Sequence, residues 1–380
     1  MLVKLEDVCE FITDGTHQTP TYCNNGGFIF LSSKDVTKQK IDWDNAKRIP
    51  EDLHKQLCAR LRPRKNDILL AKNGTTGVAA IVDRDEIFDV YVSLEVLRPL
   101  ATIFPKYLLY VVNSPYTKHQ FNAGLKGIGV PNLHLNIIRQ TRIKLHNLDQ
   151  QHKIVSILDQ VNHIISLRTQ QLEQLDLLIK SRFVEMFGDN KYKNVTMKEV
   201  TLIITDGTHQ PPKFEKTGIP FIFVSNITNN ELTYNAEKFI NEETYQELYK
   251  RTPIEIGDCL LSSVGSYGHC AVVKKDKKFL FQRHISYLKP NKTIVNSYFL
   301  QNAILSKKVQ WQIETAVKGI AQKTLNLSDI KKLLLPLPPL ALQDQFAAFV
   351  EEVEKEKATV KQSLEWLNTL KASLMQDYFG

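Results

Sequence analysis

The heptapeptide ITDGTHQ occurs at Ile12–Gln18 and again at Ile204–Gln210, about 192 residues apart, and this recurrence limits the folds open to the chain more than any other feature. Further matches follow in the same order at nearly the same offset. FIFLSS at Phe28–Ser33 answers FIFVSN at Phe221–Asn226, and NDILLAKNGTTG at Asn66–Gly77 answers GDCLLSSVGSYG at Gly257–Gly268. Leu97-Arg98-Pro99 answers Leu288-Lys289-Pro290, and Lys126-Gly127-Ile128 answers Lys318-Gly319-Ile320. Collinear matches of this extent make the chain two copies of one unit.

Each copy ends in a long apolar periodicity. Ile154, Leu158, Val161, Ile165, Leu172, Leu175, Ile179 and Met186 fall at three-four spacing, with no Pro or Gly before Gly188. Such a helix is roughly 50 Å long. Adding the repeat offset gives Val350, Val353, Val360, Leu364, Leu367 and Leu374, and turns Phe187-Gly188 into Phe379-Gly380. Water penalises both exposed seams, so the two helices are expected to pair. The second copy is under way by Val195, and so short a bridge spans roughly 20–25 Å at full stretch. The second globular part must then sit near the far end of the first helix. The second helix must run back, giving an antiparallel coiled-coil pair with pseudo-two-fold symmetry. Arg168 and Arg182 interrupt the first seam, either as snorkelling structural residues or as contacts to something outside the helix pair.

Within each globular part FIFLS and FIFVS read as strands, and ILLAKNGTTGVAAIV and CLLSSVGSYGHCAVV as strand, turn, strand. PEDLHKQLCARL and NEETYQELYKR read as one helix per copy, PKYLLYVVNS and NSYFLQNAILS as another. The class is α+β. The expected division is 1–147 and 191–339 for the globular domains, with helical spacers at 148–190 and 340–380.

The formal charge of +8 is compatible with a polyanionic partner. Five cysteines without a C-x-x-C pair read as reduced thiols, and no run approaches the length of a membrane span. A soluble cytoplasmic protein, associated with the nucleoid through DNA, is expected. Two similar heads on a rod suit a bipartite target, because DNA repeats every ~34–36 Å along its axis.

The sharpest candidate for enzyme chemistry is the DGTH loop, with Asp14 and His17 in one copy and Asp206 and His209 in the other. No second His/Asp/Glu cluster completes a metal set, so a turn or binding loop is preferred. Its hydrogen-bonding side chains, Thr13, Asp14, Thr16, His17 and Gln18 with Thr205, Asp206, Thr208, His209 and Gln210, suit contacts to bases or phosphates. The glycine-bracketed turns are either ordinary hairpins or loops presenting Lys72, Asn73, Thr75 and Thr76, or Ser263, Ser266, Tyr267 and His269, to DNA. Lys126 and Lys318 are either phosphate contacts or, slightly favoured, solvated lysines. Asn113-Ser114-Pro115-Tyr116 is close to an amino-methyltransferase motif, but its counterpart around Ile304–Lys307 is expected to keep none of it, and a helix end is the preferred reading. Gly127-Ile128-Gly129 precedes a Pro with no helix behind it, and no G-x-x-x-x-G-K-[ST] loop is present. No catalytic set, metal site or cofactor loop emerges.

This organisation resembles the specificity subunit of type I restriction–modification systems over the whole chain. The resemblance rests on the duplication, on DGTHQTP and DGTHQPP, on NDILLAKNG and GDCLLSSVG, and on LPLPPLALQDQF (Leu335–Phe346) with its P-P-L-x-x-Q signature. The first copy has His146-Asn147 where the second has Pro338-Pro339, yet keeps Leu148, Gln151 and Ile154. The resemblance implies two target-recognition domains, each reading one half of a split, asymmetric site in double-stranded DNA. It implies helices that set the spacer and dock two modification (methyltransferase) subunits, with restriction subunits completing the complex. S-adenosylmethionine, ATP and Mg are then expected on those partners, and this chain is expected to be non-catalytic. Two competing readings are a stand-alone metal-dependent enzyme using the DGTH loops and a coiled-coil assembly adaptor without a DNA role.

Overall fold

A computed structural model describes residues 1–74, 76–125, 132–188, 191–319 and 323–380. They form two compact units, residues 1–169 with 362–380 and residues 170–361, so that each long helix contributes to both.

In the first unit the strands Cys9–Asp14, Leu94–Pro99, Ile68–Ala71 and Ala79–Ile81 form, in that order, an antiparallel sheet. In the second unit Thr201–Asp206, Ile285–Pro290, Cys259–Ser262 and Cys270–Val272 repeat the order and its antiparallel pairing. A three-stranded sheet accompanies each. Phe28–Leu31 lies between Lys47–Ile49 and Phe88–Val90, and Ile219–Ile222 lies between Phe239–Ile240 and Leu280–Phe281. The near-continuous apolar runs in ILLA and CLLS follow from burial on both faces, since every residue of these two strands is buried.

The helices expected at PEDLHKQLCARL, NEETYQELYKR, PKYLLYVVNS and NSYFLQNAILS are Glu51–Arg60, Glu242–Tyr249, Pro105–Val112 and Ser297–Leu305. Two expectations need correction. FIFVS is not a strand throughout: the strand ends at Ile222, and Asn226 accepts a hydrogen bond from the Phe223 amide (3.0 Å), turning Val224–Asn226 into a 3-10 segment. Asn113-Ser114-Pro115 joins two helices, with the Ser114 hydroxyl capping Pro115–Gly124 by accepting from Thr117 N. Its counterpart keeps that serine, as Ser306 caps Lys307–Ala316 in the same way. The Gly127-Ile128-Gly129 segment lies outside the described residues.

The long helices run Leu148–Phe187 and Leu340–Phe379. In the second unit Phe183 and Phe187 meet Phe346 (5.5 and 5.6 Å between ring centroids), while Asp176, earlier in the first helix, pairs with Lys357, later in the second. The pairing there is antiparallel. In the first unit the beginning of the first helix (Ile154, Val155, Leu158) shares a core with the end of the second (Met375, Phe379), again antiparallel. Every expected seam residue is buried or half-buried. Arg182 pairs with Glu185 and lies over the Phe349 ring.

A glutamine fixes each helix to its globular part. Gln151 is fully buried, accepts from Phe104 N (2.7 Å) and donates to Thr102 O and His146 O. Gln343 accepts from Asn296 N (2.9 Å) and donates to Ile294 O and Pro338 O. One amide side chain thus satisfies three otherwise orphaned backbone groups. The exchange of Pro-Pro for His146-Asn147 is harmless because the clamp uses a backbone carbonyl, and Asn147 Oδ1 accepts from Gln150 N at the helix start. Among the described residues, no helix is long and apolar enough to cross a membrane.

Candidate nucleic-acid interface

Each DGTH loop begins where the first strand of the four-stranded sheet ends, at Asp14 or Asp206. The next residue must be glycine. A Cβ on Gly15 would lie 2.0 Å from Val90 O, and one on Gly207 2.2 Å from Phe281 O. The close approach lets Thr16 and Thr208 form parallel bridges with Tyr91 and Gln282, tying the two sheets of each unit together. It leaves His17 and His209 exposed at the rim, with Nε2 3.0 and 2.8 Å from the Asp14 and Asp206 carboxylates.

In the first unit the carboxylate of Asp14 is met from inside by Lys72. The Lys72 ammonium donates to Asp14 Oδ2 (2.8 Å) and lies 3.0 Å from Glu95 Oε1. Glu95 faces Asp14 across the strand pair and is wholly buried. Burial raises the Glu95 carboxyl above its ordinary range, and Lys72 only partly offsets this. Burial also disfavours the charged forms of Asp14 and Lys72, but their mutual hydrogen bond and charge prevail, so Asp14 is lowered and Lys72 raised. Arg60 Nη2 donates to the Asp14 carbonyl (2.8 Å), and Arg139 Nη2 to Ile12 O (2.7 Å). Of the two readings open for Lys72, an ordinary hairpin residue or a loop side chain presented to DNA, the second is corrected: the side chain is turned inward and buried. A metal ion at Asp14 would have to displace both this ammonium and His17, and among the described residues no group of three or more His, Cys, Asp or Glu could hold one.

The second unit builds the same place from different side chains. Ser263 stands where the first has Lys72, and Ser286, opposite Asp206, stands where it has Glu95. Asp206 is paired with Arg251, whose Nη2 donates at 2.6 Å, and its other oxygen lies 2.8 Å from His209 Nε2. Ser263 is also buried, its hydroxyl donating to His284 O (3.1 Å), which fits the hairpin reading of this turn rather than a side chain displayed to DNA. The two small side chains border an open cavity of about 470 Å³, together with Asp206, His209, Arg283 and Thr324. Burial, then the neighbouring Arg283 charge, lowers the His284 pKa. A second cavity of about 460 Å³ lies on the other side of the loop, between Gly207–Lys213 and the helix bearing Thr244 and Glu247.

The remaining candidates divide. Thr13 and Thr205 lie within the strands, paired with Val96 and Tyr287, and Thr16 is buried with its hydroxyl accepting from Gln18 N. Gln18 and Gln210 are exposed and Thr208 half-buried. Asn73 bridges Asn132, and neither side-chain Oδ1 has a hydrogen-bond partner. Thr76 is half-buried and donates to Lys72 O. Ser266 and His269 bond each other (3.1 Å), while Tyr267 packs against the core. Lys318 is exposed and bridges Thr324 through its backbone. Thr75 and Lys126 lie outside the described residues. Arg60, Glu95, Arg139, Arg251, Arg283, His284 and Ser286 were not singled out from the sequence. A signal existed for two of them: Glu95 and Ser286 are polar interruptions at equivalent places in the apolar strands SLEVL and HISYL.

This duplicated α+β unit with paired helices defines the class. The chain belongs to the family described as type I restriction modification DNA specificity domain, matched over residues 1–177 and again over 190–368. It is similar to the type I restriction enzyme EcoBI specificity subunit of Escherichia coli, with 25% identity over 296 residues, 68% of this chain and 62% of that protein. The match thus spans less than two thirds of that relative's length. The fold is shared with the type I restriction–modification system S subunit from M. genitalium (TM-score 0.56, 14% identity, 100% of this chain and 96% of that one). It is also shared with a chain solved in work on complex assembly and conformational transition of the type I R-M system (TM-score 0.58, 19% identity, 100% and 97%).

Proposed function

We propose that this chain is the DNA-specificity subunit of a type I restriction–modification complex, each half reading one part of a bipartite, asymmetric site in double-stranded DNA. The observation that carries the reading is that one sheet-end site is built twice in a family of DNA specificity domains, on the same backbone frame but with different side chains at its polar positions. One scaffold reading two half-sites needs this combination, since base edges are discriminated by side chains and positioned by a common frame.

The chain itself is non-catalytic in this reading. S-adenosylmethionine is held by two modification subunits, and ATP and Mg by restriction subunits, in the cytoplasm at the nucleoid. The helices dock the modification subunits and set the spacer. Ile157, Ile164 and Leu178 support a docking role: they recur at multiples of seven residues along the first long helix, outside the seam, and are exposed. Reconstituting the modification subunits on host DNA with and without this chain, followed by sequencing of methylated bases, tests the reading. A split motif should be methylated only when the chain is present; methylation without it, or with no motif, contradicts the proposal.

A further inference from the structure

The two halves differ in chemistry at the pair of positions behind the DGTH aspartate, Lys72 and Glu95 in one and Ser263 and Ser286 in the other. Ser286 is 1% exposed, it borders the cavity of about 470 Å³, and its hydroxyl has no hydrogen-bond partner. Buried polar groups are nearly always paired, so a buried, unpartnered hydroxyl at the wall of an open cavity is placed to meet something that enters it. In the first half the corresponding space is occupied: the Lys72 ammonium reaches between Asp14 and Glu95, 2.8 and 3.0 Å from their carboxylates, and Glu95 is met there by charge, with no hydrogen bond to either oxygen.

We propose that the Ser263–Ser286 cavity is where the second half takes in a base edge of its half-site, and that Lys72 and Glu95 close the equivalent space in the first half, making these two positions specificity-determining. The inference rests on the DNA-recognition reading. The lining offers both donors and acceptors, the mixture a base edge presents. Asp206, whose two oxygens already meet Arg251 and His209, still puts on the wall an acceptor suited to an exocyclic amino group. Opposite in character is Arg283, exposed at the rim and a donor suited to a guanine edge. Ser286 can donate or accept. A wall of mixed donors and acceptors carries sequence information that a wall of cations would not.

The test uses the complex assembled with its modification subunits and duplex oligonucleotides carrying the methylated motif mapped in the host, each altered at one base pair. For Ser286→Ala, discrimination at one or two positions of the second half-site should fall roughly tenfold, the effect of one hydrogen bond, while positions of the first half-site keep theirs. Ser263→Lys combined with Ser286→Glu, which transplants the first half's pair, should abolish discrimination at the same positions. Unchanged discrimination at every position with Ser286→Ala would overturn the inference, and so would an equal weakening on all sequences with a shallower salt dependence, which marks a phosphate contact. If the double variant does not assemble, Ser286→Ala, which removes one oxygen atom, decides alone. Failure of the underlying reading is distinct: the wild-type complex itself would then show no dependence on sequence.

Discussion

Removing the charge at Lys357 tests the pairing of the long helices where it is most polar. Its side chain is only 8% exposed, and its ammonium lies 2.8 Å from Asp176 on the first long helix, 2.9 Å from Glu354 one turn away and 3.3 Å from Glu231 in the globular part. Loss of one partner from a buried ion pair costs about 3–5 kcal/mol when the survivor is stranded. Here stranding is incomplete. Glu231 keeps Lys361 (2.6 Å), Glu354 keeps Lys274 (2.9 Å), and Asp176 is half exposed to water. We therefore expect Lys357→Met to cost about 2 kcal/mol, less than full stranding but well above the ~0–1 kcal/mol of a surface pair.

The pH dependence has a definite sign. Burial alone would lower the Lys357 pKa, but hydrogen bonds to Asp176 and Glu354 outweigh it, so the group is raised and its contribution persists until pH rises through the elevated value. Glu231 and Glu354 are pushed up by burial and down further by their lysines. Their contributions are present above the ordinary glutamate range and lost as pH falls through the depressed values. Urea unfolding of wild type, Lys357→Met and the exposed control Lys180→Met, followed from about pH 3 to 9, reads the cost at pH 7 and the loss of the glutamate contributions in acid, while the lysine contribution stays in place across the range. A loss below about 0.5 kcal/mol at pH 7, matching the control, would refute the reasoning.

Phe187→Ala should cost about 3–5 kcal/mol, because its ring meets Phe183, Phe299 and Phe346 within 4.9–5.6 Å, whereas Val184→Ala, 65% exposed, should stay within about 0.5 in the same unfolding assay. Lys72→Met should cost about 3 kcal/mol at pH 7 by leaving the buried Glu95 carboxylate unpaired. As Glu95 is an acid with a raised pKa, the penalty should shrink as pH falls and the group takes up a proton, visible as converging denaturation midpoints. Gly15→Ala, which drives a methyl group into Val90 O, should impair recognition of the first half-site alone, and Gly207→Ala the second alone, in methylation assays on half-site variants. Inserting four residues in the first long helix adds about 6 Å and should lengthen the methylated motif's spacer by close to two base pairs.

The duplication and the seam were legible because both are one-dimensional: a repeat needs only an offset, and a helix face only a period. Lys357 shows the limit. It occupies a seam position between Val353 and Val360, and an apolar count passes over it, although a charge there marks a buried network. The DGTH loop was found, but not the reason for its glycine, since Val90 lies some 75 residues away in sequence and on the other sheet. The inward course of Lys72 is hidden from the sequence for the same reason. Its neighbours NGTTG look like an exposed turn, and only strand pairing brings Asp14 and Glu95 to its ammonium. The glutamine clamps lay within a recognised signature, yet their partners, Thr102 and Ile294, carry no signal because the contacts are to backbone.

The most direct measurement exchanges residues 1–147 for the equivalent part of a relative with a different motif, and then maps methylated bases in cells carrying the modification subunits. We expect one half of the motif to change while the other half and the spacer stay as they were. A change in both halves, or in neither, would contradict the account of two halves that read independently.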